Sequence, residues 1–202
     1  MKKLVCVVEG RGDELALPNL CSRVRDYVEA WSWIVDPNPV RQPRSRLVDE
    51  SRPSPHRTAR ADGIARAVEL ALQRPADGVV ILCDADDDCP AVWGPSSRRL
   101  VEARCRGDSV MIEREYEAWL LYAFSEALLR QHDITSPESV RDAKGRLRRL
   151  VSGYKPTSHQ LEITRSVEIA TLWKASDSFD KLMRCLMEIF EVPLRSRPAR
   201  PT

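Results

Sequence analysis

Histidine is scarce in this chain of 202 residues: His56, His132 and His159 stand far apart. The six cysteines, Cys6, Cys21, Cys83, Cys89, Cys105 and Cys185, form no Cys-x-x-Cys pair. A zinc centre built from clustered Cys and His is thereby excluded. Cys6 and Cys83 fall inside apolar strand patterns, so the cysteines read as free thiols of a reducing cytoplasm rather than disulfides. No apolar run approaches the roughly 18 residues of a membrane span. The short apolar stretch after Met1-Lys2-Lys3 stops at Glu9 without a small-residue cleavage site, and reads as a first strand, not a signal peptide. There is no Gly-x-x-x-x-Gly-Lys-Ser/Thr loop, so the chain is not itself a P-loop ATPase. There is no nucleophile elbow of a serine hydrolase either. The formal net charge is only +2, so bulk charge names no partner.

Order in the first half comes from short apolar runs. Leu4 to Val8 is uniformly apolar, as a strand buried on both faces is. Glu9-Gly10-Arg11-Gly12 makes a turn, and Asp13 can cap a helix from about Glu14 to Ala30. Trp31 to Val35 reads as a second strand. Asp36 to Thr58 carries Pro37, Pro39, Pro43, Pro53 and Pro55 and no periodicity, so a long loop is expected. A helix follows over about Ala59 to Gln73, then an apolar strand from Gly78 to Cys83 that empties into Asp84-Ala85-Asp86-Asp87-Asp88. A helix from about Pro95 to Cys105 and a strand from Ser109 to Ile112 complete the alternation. This pattern predicts an α/β fold with a mostly parallel four-stranded sheet between helices. Beyond Glu113 the helical patterns Glu115 to Gln131, Pro137 to Val151, Leu161 to Leu172 and Ser176 to Phe190 follow one another. The expected organisation is an α/β core over 1–113, a helical extension packed on it over 114–192, and a flexible tail over 193–202.

Ligands of open α/β sheets bind beyond the carboxyl ends of the strands. Two apolar strands here end in acid, at Glu9 and at Asp84, and Asp86 follows two residues later. Carboxylates gathered at one edge repel and raise one another's pKa. A hard divalent cation removes the conflict, and oxygen-only ligands suit Mg²⁺ or Mn²⁺. Taken singly, each acid has a plainer explanation: a solvated strand end, a helix cap, a polar loop. Other acidic motifs fit poorly. An EF-hand starting at Asp84 would need Gly where Cys89 stands and Glu where Pro95 stands. A haloacid-dehalogenase phosphatase places its Asp-x-Asp on the first strand and wants Thr or Val at Asp88. Arg41, Arg44, Arg46, Arg52 and Arg57 crowd one segment, a solvated loop or a set of phosphate contacts.

Val7-Val8-Glu9-Gly10 together with Leu82-Cys83-Asp84-Ala85-Asp86-Asp87-Asp88 resembles the Toprim superfamily. Glu115-Tyr116-Glu117-Ala118-Trp119-Leu120-Leu121, Gly153-Tyr154-Lys155 and Ser176-Asp177-Ser178-Phe179 look like a family of small Toprim-like bacterial proteins. That family is similar to the nuclease domain of the overcoming-lysogenization-defect proteins. The resemblance covers about residues 3–187. It implies a Toprim-like core in which Glu9, Asp84 and Asp86 are metal and acid/base residues. Asp13, Asp88 and Glu117 join them as metal ligands, and Lys155 faces the scissile phosphate. It implies Mg²⁺ or Mn²⁺, a nucleic-acid substrate (DNA or RNA), and an ABC- or AAA-type ATPase partner in phage defence. The alternative is a non-catalytic partner or regulator of such an ATPase. No organic cofactor is implied, and self-association into a homo-oligomer is compatible with the reading. Topoisomerase and primase roles are disfavoured, because both need large further domains. Trp119, Leu120, Ala123 and Phe124 share one helical stripe and are expected in the core rather than as a base-stacking platform.

Overall fold

A computed structural model describes residues 1–199. The first half alternates β1 (Lys2–Val8), α1 (Asp13–Tyr27), β2 (Trp33–Val35), β3 (Val40–Arg41), α2 (Arg44–Leu47), α3 (Ala61–Leu72), β4 (Gly78–Asp84), α4 (Pro90–Glu102) and β5 (Gly107–Ile112). The second half holds α5 (Tyr116–Leu120), α6 (Glu126–Gln131), α7 (Ala143–Leu150), α8 (Pro156–Ser166), α9 (Ile169–Ala175) and α10 (Asp177–Phe190). The strands form one parallel sheet in the order β2-β1-β4-β5, with β3 also paired to β1.

The sheet therefore has five strands rather than four. β2 pairs the first half of β1 through Lys2–Leu4, and β3 pairs its end through Val7 and Val8. The two amount to one edge strand broken around Asp36–Pro39. The segment expected to be a featureless loop also contains α2 and an antiparallel bridge from Val48 to Ala59. Helix α4 starts at Pro90, five residues before its expected start, and carries Pro95 inside it. Pro90 sits in the first turn, where a missing N–H costs nothing. The expected helix from Glu115 to Gln131 is two helices joined by a 3₁₀ turn, and the one from Leu161 to Leu172 is divided between α8 and α9.

Side chains alternate between the two faces of the sheet, as the strand period of two requires. Leu4, Cys6, Val8, Val80, Leu82, Val110 and Ile112 pack with α1 and the C-terminal helices, including Trp119, Leu172 and Phe179. Val5, Val7, Val79, Ile81, Cys83 and Met111 pack against α3, α4, Leu47 and Val48. Trp119 and Leu120 are buried, while Ala123 and Phe124 are partly buried against the same core. All six cysteines are free.

Buried Glu138 anchors α10. Its carboxylate accepts from Ser176 Oγ at 2.6 Å, Asp177 N at 2.7 Å, Ser178 N at 2.7 Å and Ser178 Oγ at 2.6 Å. A carboxylate against the first N–H groups of a helix is favourable on charge as well as hydrogen bonding. Residues 193–199 have no regular structure, yet Arg195 donates to Tyr27 O and Val28 O, and Arg197 to Trp173 O and Lys174 O. Arg200 and the last two positions of the expected tail lie outside the described residues.

Candidate carboxylate site

Adjacent parallel strands β1 and β4 deliver Glu9 and Asp84 to one edge of the sheet. The Asp84 N–H points to Glu9 Oε2 at 3.4 Å, and the Cys83 thiol donates to the same oxygen at 3.3 Å. The turn after β1 brings Asp13 alongside. Asp13 is the first residue of α1 rather than its cap, and the cap position is Gly12. Its Oδ2 accepts from Gly10 N at 3.0 Å and its Oδ1 from Gln160 Nε2 of α8 at 2.5 Å. The first turn of α5 supplies Glu117, buried, with the Tyr154 hydroxyl donating to its Oε1 at 3.3 Å. These four carboxylates line one cavity of about 310 Å³, together with Gly10, Arg11, Gly12, Lys144, Pro156, Thr157 and Gln160.

The electrostatics are uncompensated. Burial pushes Asp84 well above the usual carboxylate range, and Asp13, Glu9, Glu117 and Asp86 push it further. Burial also raises Glu9, although the Cys83 thiol, Arg44 and the Asp84 amide draw it back in part. Asp13 and Glu117 are raised by burial as well, against the pull of Gln160 on the first and Lys144 on the second. Asp84 Oδ1 does accept the Tyr116 N–H at 3.0 Å, which fixes the start of α5 to the end of β4.

Three expected residues lie elsewhere. Lys155 is exposed at the start of α8, where its N–H donates to His159 Nδ1 at 3.0 Å, and it does not line the cavity. The lysine at the cavity is Lys144, at the first turn of α7, with Nζ 3.5 Å from Glu117 Oε1. The sequence offers little sign of it. Lys144 arrives through a left-handed turn at Asp142 and a hydrogen bond from its own N–H to Glu115 Oε2 at 3.1 Å. Asp88 is buried and turned to the other side of its loop, where Oδ2 meets Arg44 and, at 3.7 Å, Arg57. Asp86 is more exposed, in a left-handed conformation at φ 51°, with Oδ2 3.5 Å from Arg44 Nε.

Two arginines of the arginine-rich segment, Arg44 and Arg57, turn inward. Arg44 donates to Asp84 O, to Ala85 O at 3.1 Å and to Asp88, and stands 3.9 Å from Glu9 Oε2. Arg41 pairs with Glu14 and Arg46 with Asp62. Arg44 and Arg57 thus supply countercharge to buried Asp88, while Arg41 and Arg46 make exposed surface pairs.

The donor set around the cavity is all oxygen and all acidic, which suits a hard divalent cation. Among the described residues, no three His, Cys, Asp or Glu side chains are gathered closely enough to hold an ion. Hydrogen bonds to Gln160, Tyr154 and backbone amides hold the carboxylates singly. Among the described residues, no helix is long and apolar enough to cross a membrane. No family model, curated protein or solved structure matches the chain.

Proposed function

We propose that the chain is a divalent-metal-dependent nuclease built on a Toprim-like core. The observation that carries this is the convergence of Glu9, Asp13, Asp84 and Glu117 on one cavity at the carboxyl edge of a parallel sheet. Four acids with raised pKa values outnumber the two basic residues of the cavity, Arg11 and Lys144, and the excess negative charge favours a cation. Glu9, Asp13, Asp84 and Glu117 would hold Mg²⁺ or Mn²⁺, with Asp86 beside them. When bound, the ion acidifies water and offsets phosphoryl charge.

The chain's own residues divide the remaining work. Glu9, on its own strand and with its pKa raised by burial, orients an attacking water and accepts its proton at a carboxylate oxygen. Asp84 is fixed by the Tyr116 amide and serves as the rigid ligand. Lys144 supplies positive charge toward an anionic substrate and holds Glu117 in place. Asp88 keeps a positioning role through Arg44. An ATPase partner of the ABC or AAA type and a role in antiviral defence belong to the same proposal and rest on the Toprim-like resemblance alone; a cytoplasmic setting rests on reading the cysteines as free thiols.

A second reading is favoured by one observation: the acids are individually satisfied rather than gathered around a vacant centre. In that reading the chain is a non-catalytic Toprim-fold partner of the ATPase. Cleavage of DNA and RNA by purified wild type, Glu9→Gln and Asp84→Asn, with and without the partner, separates the two. The nuclease reading expects metal-dependent cleavage that drops by roughly a hundredfold or more in Glu9→Gln. Cleavage undiminished in that variant removes Glu9 from the mechanism, and no cleavage under any condition leaves the partner reading.

A further inference from the structure

Beside the carboxylate cavity lies a second, smaller one of about 160 Å³, lined by Asp86, Asp87, Arg114, Glu115, Arg141 and Asp142. The same three elements border both: the exit of β4, the residues around the start of α5, and the turn into α7. Four of its six lining residues are acidic, but three of those are engaged. Glu115 Oε2 accepts from Lys144 N at 3.1 Å, and Asp142 Oδ1 caps α7 through Gly145 N at 3.0 Å. Asp86 Oδ2 faces Arg44 at 3.5 Å. What remains is Asp87 between two guanidinium groups, with Arg114 Nη1 and Arg141 Nη2 each 3.3 Å from its Oδ1. Two guanidinium groups thus face that one carboxylate.

The two arginines differ in a useful way. Arg114 is 27% exposed and anchored, donating to Asp86 O at 2.7 Å, and its buried Nε has no hydrogen-bond partner. Arg141 is 76% exposed and Asp87 66% exposed, so their ion pair is a weak surface contact that a stronger anion can displace. A phosphate fits this description: it is planar-fork compatible, carries more oxygens than a carboxylate and gains from two guanidinium groups at once.

We propose that Arg114 and Arg141 form a phosphate subsite next to the carboxylate cavity, with the Asp87 carboxylate standing in for a backbone phosphate of the nucleic acid. This rests on the nuclease reading and names what positions its substrate. It also adds phosphate contacts outside the Arg41–Arg57 segment, whose Arg44 and Arg57 pair with the buried Asp88.

The test is equilibrium binding of short single-stranded DNA and RNA oligonucleotides in Mn²⁺, in a Glu9→Gln background that blocks turnover, across a salt series. Arg141→Gln should weaken binding about tenfold, as loss of a charge-assisted hydrogen bond does. It should flatten the log–log salt slope by about 0.7 for one phosphate lost on a single strand. Asp87→Asn should do the reverse and tighten binding several-fold, because it removes the competing anion. Arg46→Gln, paired to Asp62, should change neither quantity. An unchanged slope in Arg141→Gln, or weaker binding in Asp87→Asn, overturns the subsite, while metal-dependent cleavage by the chain with native Glu9 keeps the nuclease reading standing. Binding of inorganic phosphate but of neither oligonucleotide overturns both.

Discussion

Replacing Arg44 with Met keeps the length and the apolar stem of the side chain and deletes only the guanidinium. The consequence can be worked from its neighbours. Asp88 has a side chain 1% exposed, pairs with Arg44 through Oδ2, and has no partner on Oδ1. Without Arg44, its one remaining cation is Arg57 at 3.7 Å. Two carbonyls at the end of β4, Asp84 O and Ala85 O, lose a donor at the same time. Breaking a buried ion pair from one side costs about 3–5 kcal/mol. Arg57 retains part of the interaction, so a loss of about 2–4 kcal/mol is expected. For a chain of this size each kcal/mol is worth about 2–4 °C, which puts the fall in Tm at roughly 5–15 °C. Asp88→Asn in the Arg44→Met background removes the charge left behind and should recover about half. The coupling between the two sites is then about 1–2 kcal/mol plus whatever Asp88→Asn costs alone. Urea unfolding at neutral pH in chelator measures all four corners of the cycle, with an unchanged m-value as the check that the denatured state is the same. If Arg44→Met costs less than about 1 kcal/mol, or the two changes simply add, Arg44 is not the countercharge of this loop and the argument fails.

Three further outcomes follow from the geometry. Glu9, Asp13, Asp84 and Glu117 all have folded-state pKa values raised above their unfolded ones. Their contribution to stability is therefore complete below about pH 4 and lost as pH rises through each raised value. Asp84→Asn should make the metal-free protein more stable at neutral pH and flatten the decline of Tm with rising pH; a less stable variant there would refute the repulsion. Mn²⁺ at a hundredfold its Kd should add about 2.7 kcal/mol, or roughly 5–10 °C, to wild type and little to Asp84→Asn, and equal shifts in both would place the ion elsewhere. Gly12→Ala would set a Cβ 2.0 Å from Gln160 Oε1 and 2.7 Å from Pro156 Cβ. It should cost about 1–3 kcal/mol in a chemical melt through overpacking between α1 and α8, since φ −64° is ordinary for Ala; a neutral result would mean that α8 gives way freely.

The parts of this fold that were legible in the sequence are those governed by local rules. β1 and β4 are continuous apolar runs because both faces of each are covered, and their acidic ends mark where the cover stops. β3 was illegible because two residues between Pro39 and Pro43 carry no period; it exists only because β1 offers Val7 and Val8 for pairing. The start of α4 is marked by Pro90 in its first turn, and Pro95, the expected start, lies inside the helix. At the site, Glu9, Asp13, Asp84 and Glu117 could be named from strand ends and motif resemblance. Lys144 could not, since a left-handed aspartate and a hydrogen bond to Glu115 decide where it lands. Lys155 drew attention through its neighbour: Tyr154, not Lys155, reaches Glu117. The arginines of the 41–57 segment were visible as a charge run, but the inward direction of Arg44 and Arg57 depends on acids scattered from Glu9 to Asp88.

The clamp that Gln160 places on Asp13 has a consequence for synthesis. A nascent chain that has emerged as far as Ile112 already carries Glu9, Asp13 and Asp84 on their strands and turn, but not Glu117, Lys144, Tyr154 or Gln160. The apolar face of its sheet also awaits α10, which contributes Phe179, Leu182, Met183 and Leu186 to the same core. Such an intermediate holds its acids unclamped and its hydrophobic face uncovered, the state in which chains aggregate or engage chaperones. The cavity is thus assembled late, from both halves of the chain at once, and a fragment ending at Ile112 lacks Glu117, Lys144 and Gln160 of its lining.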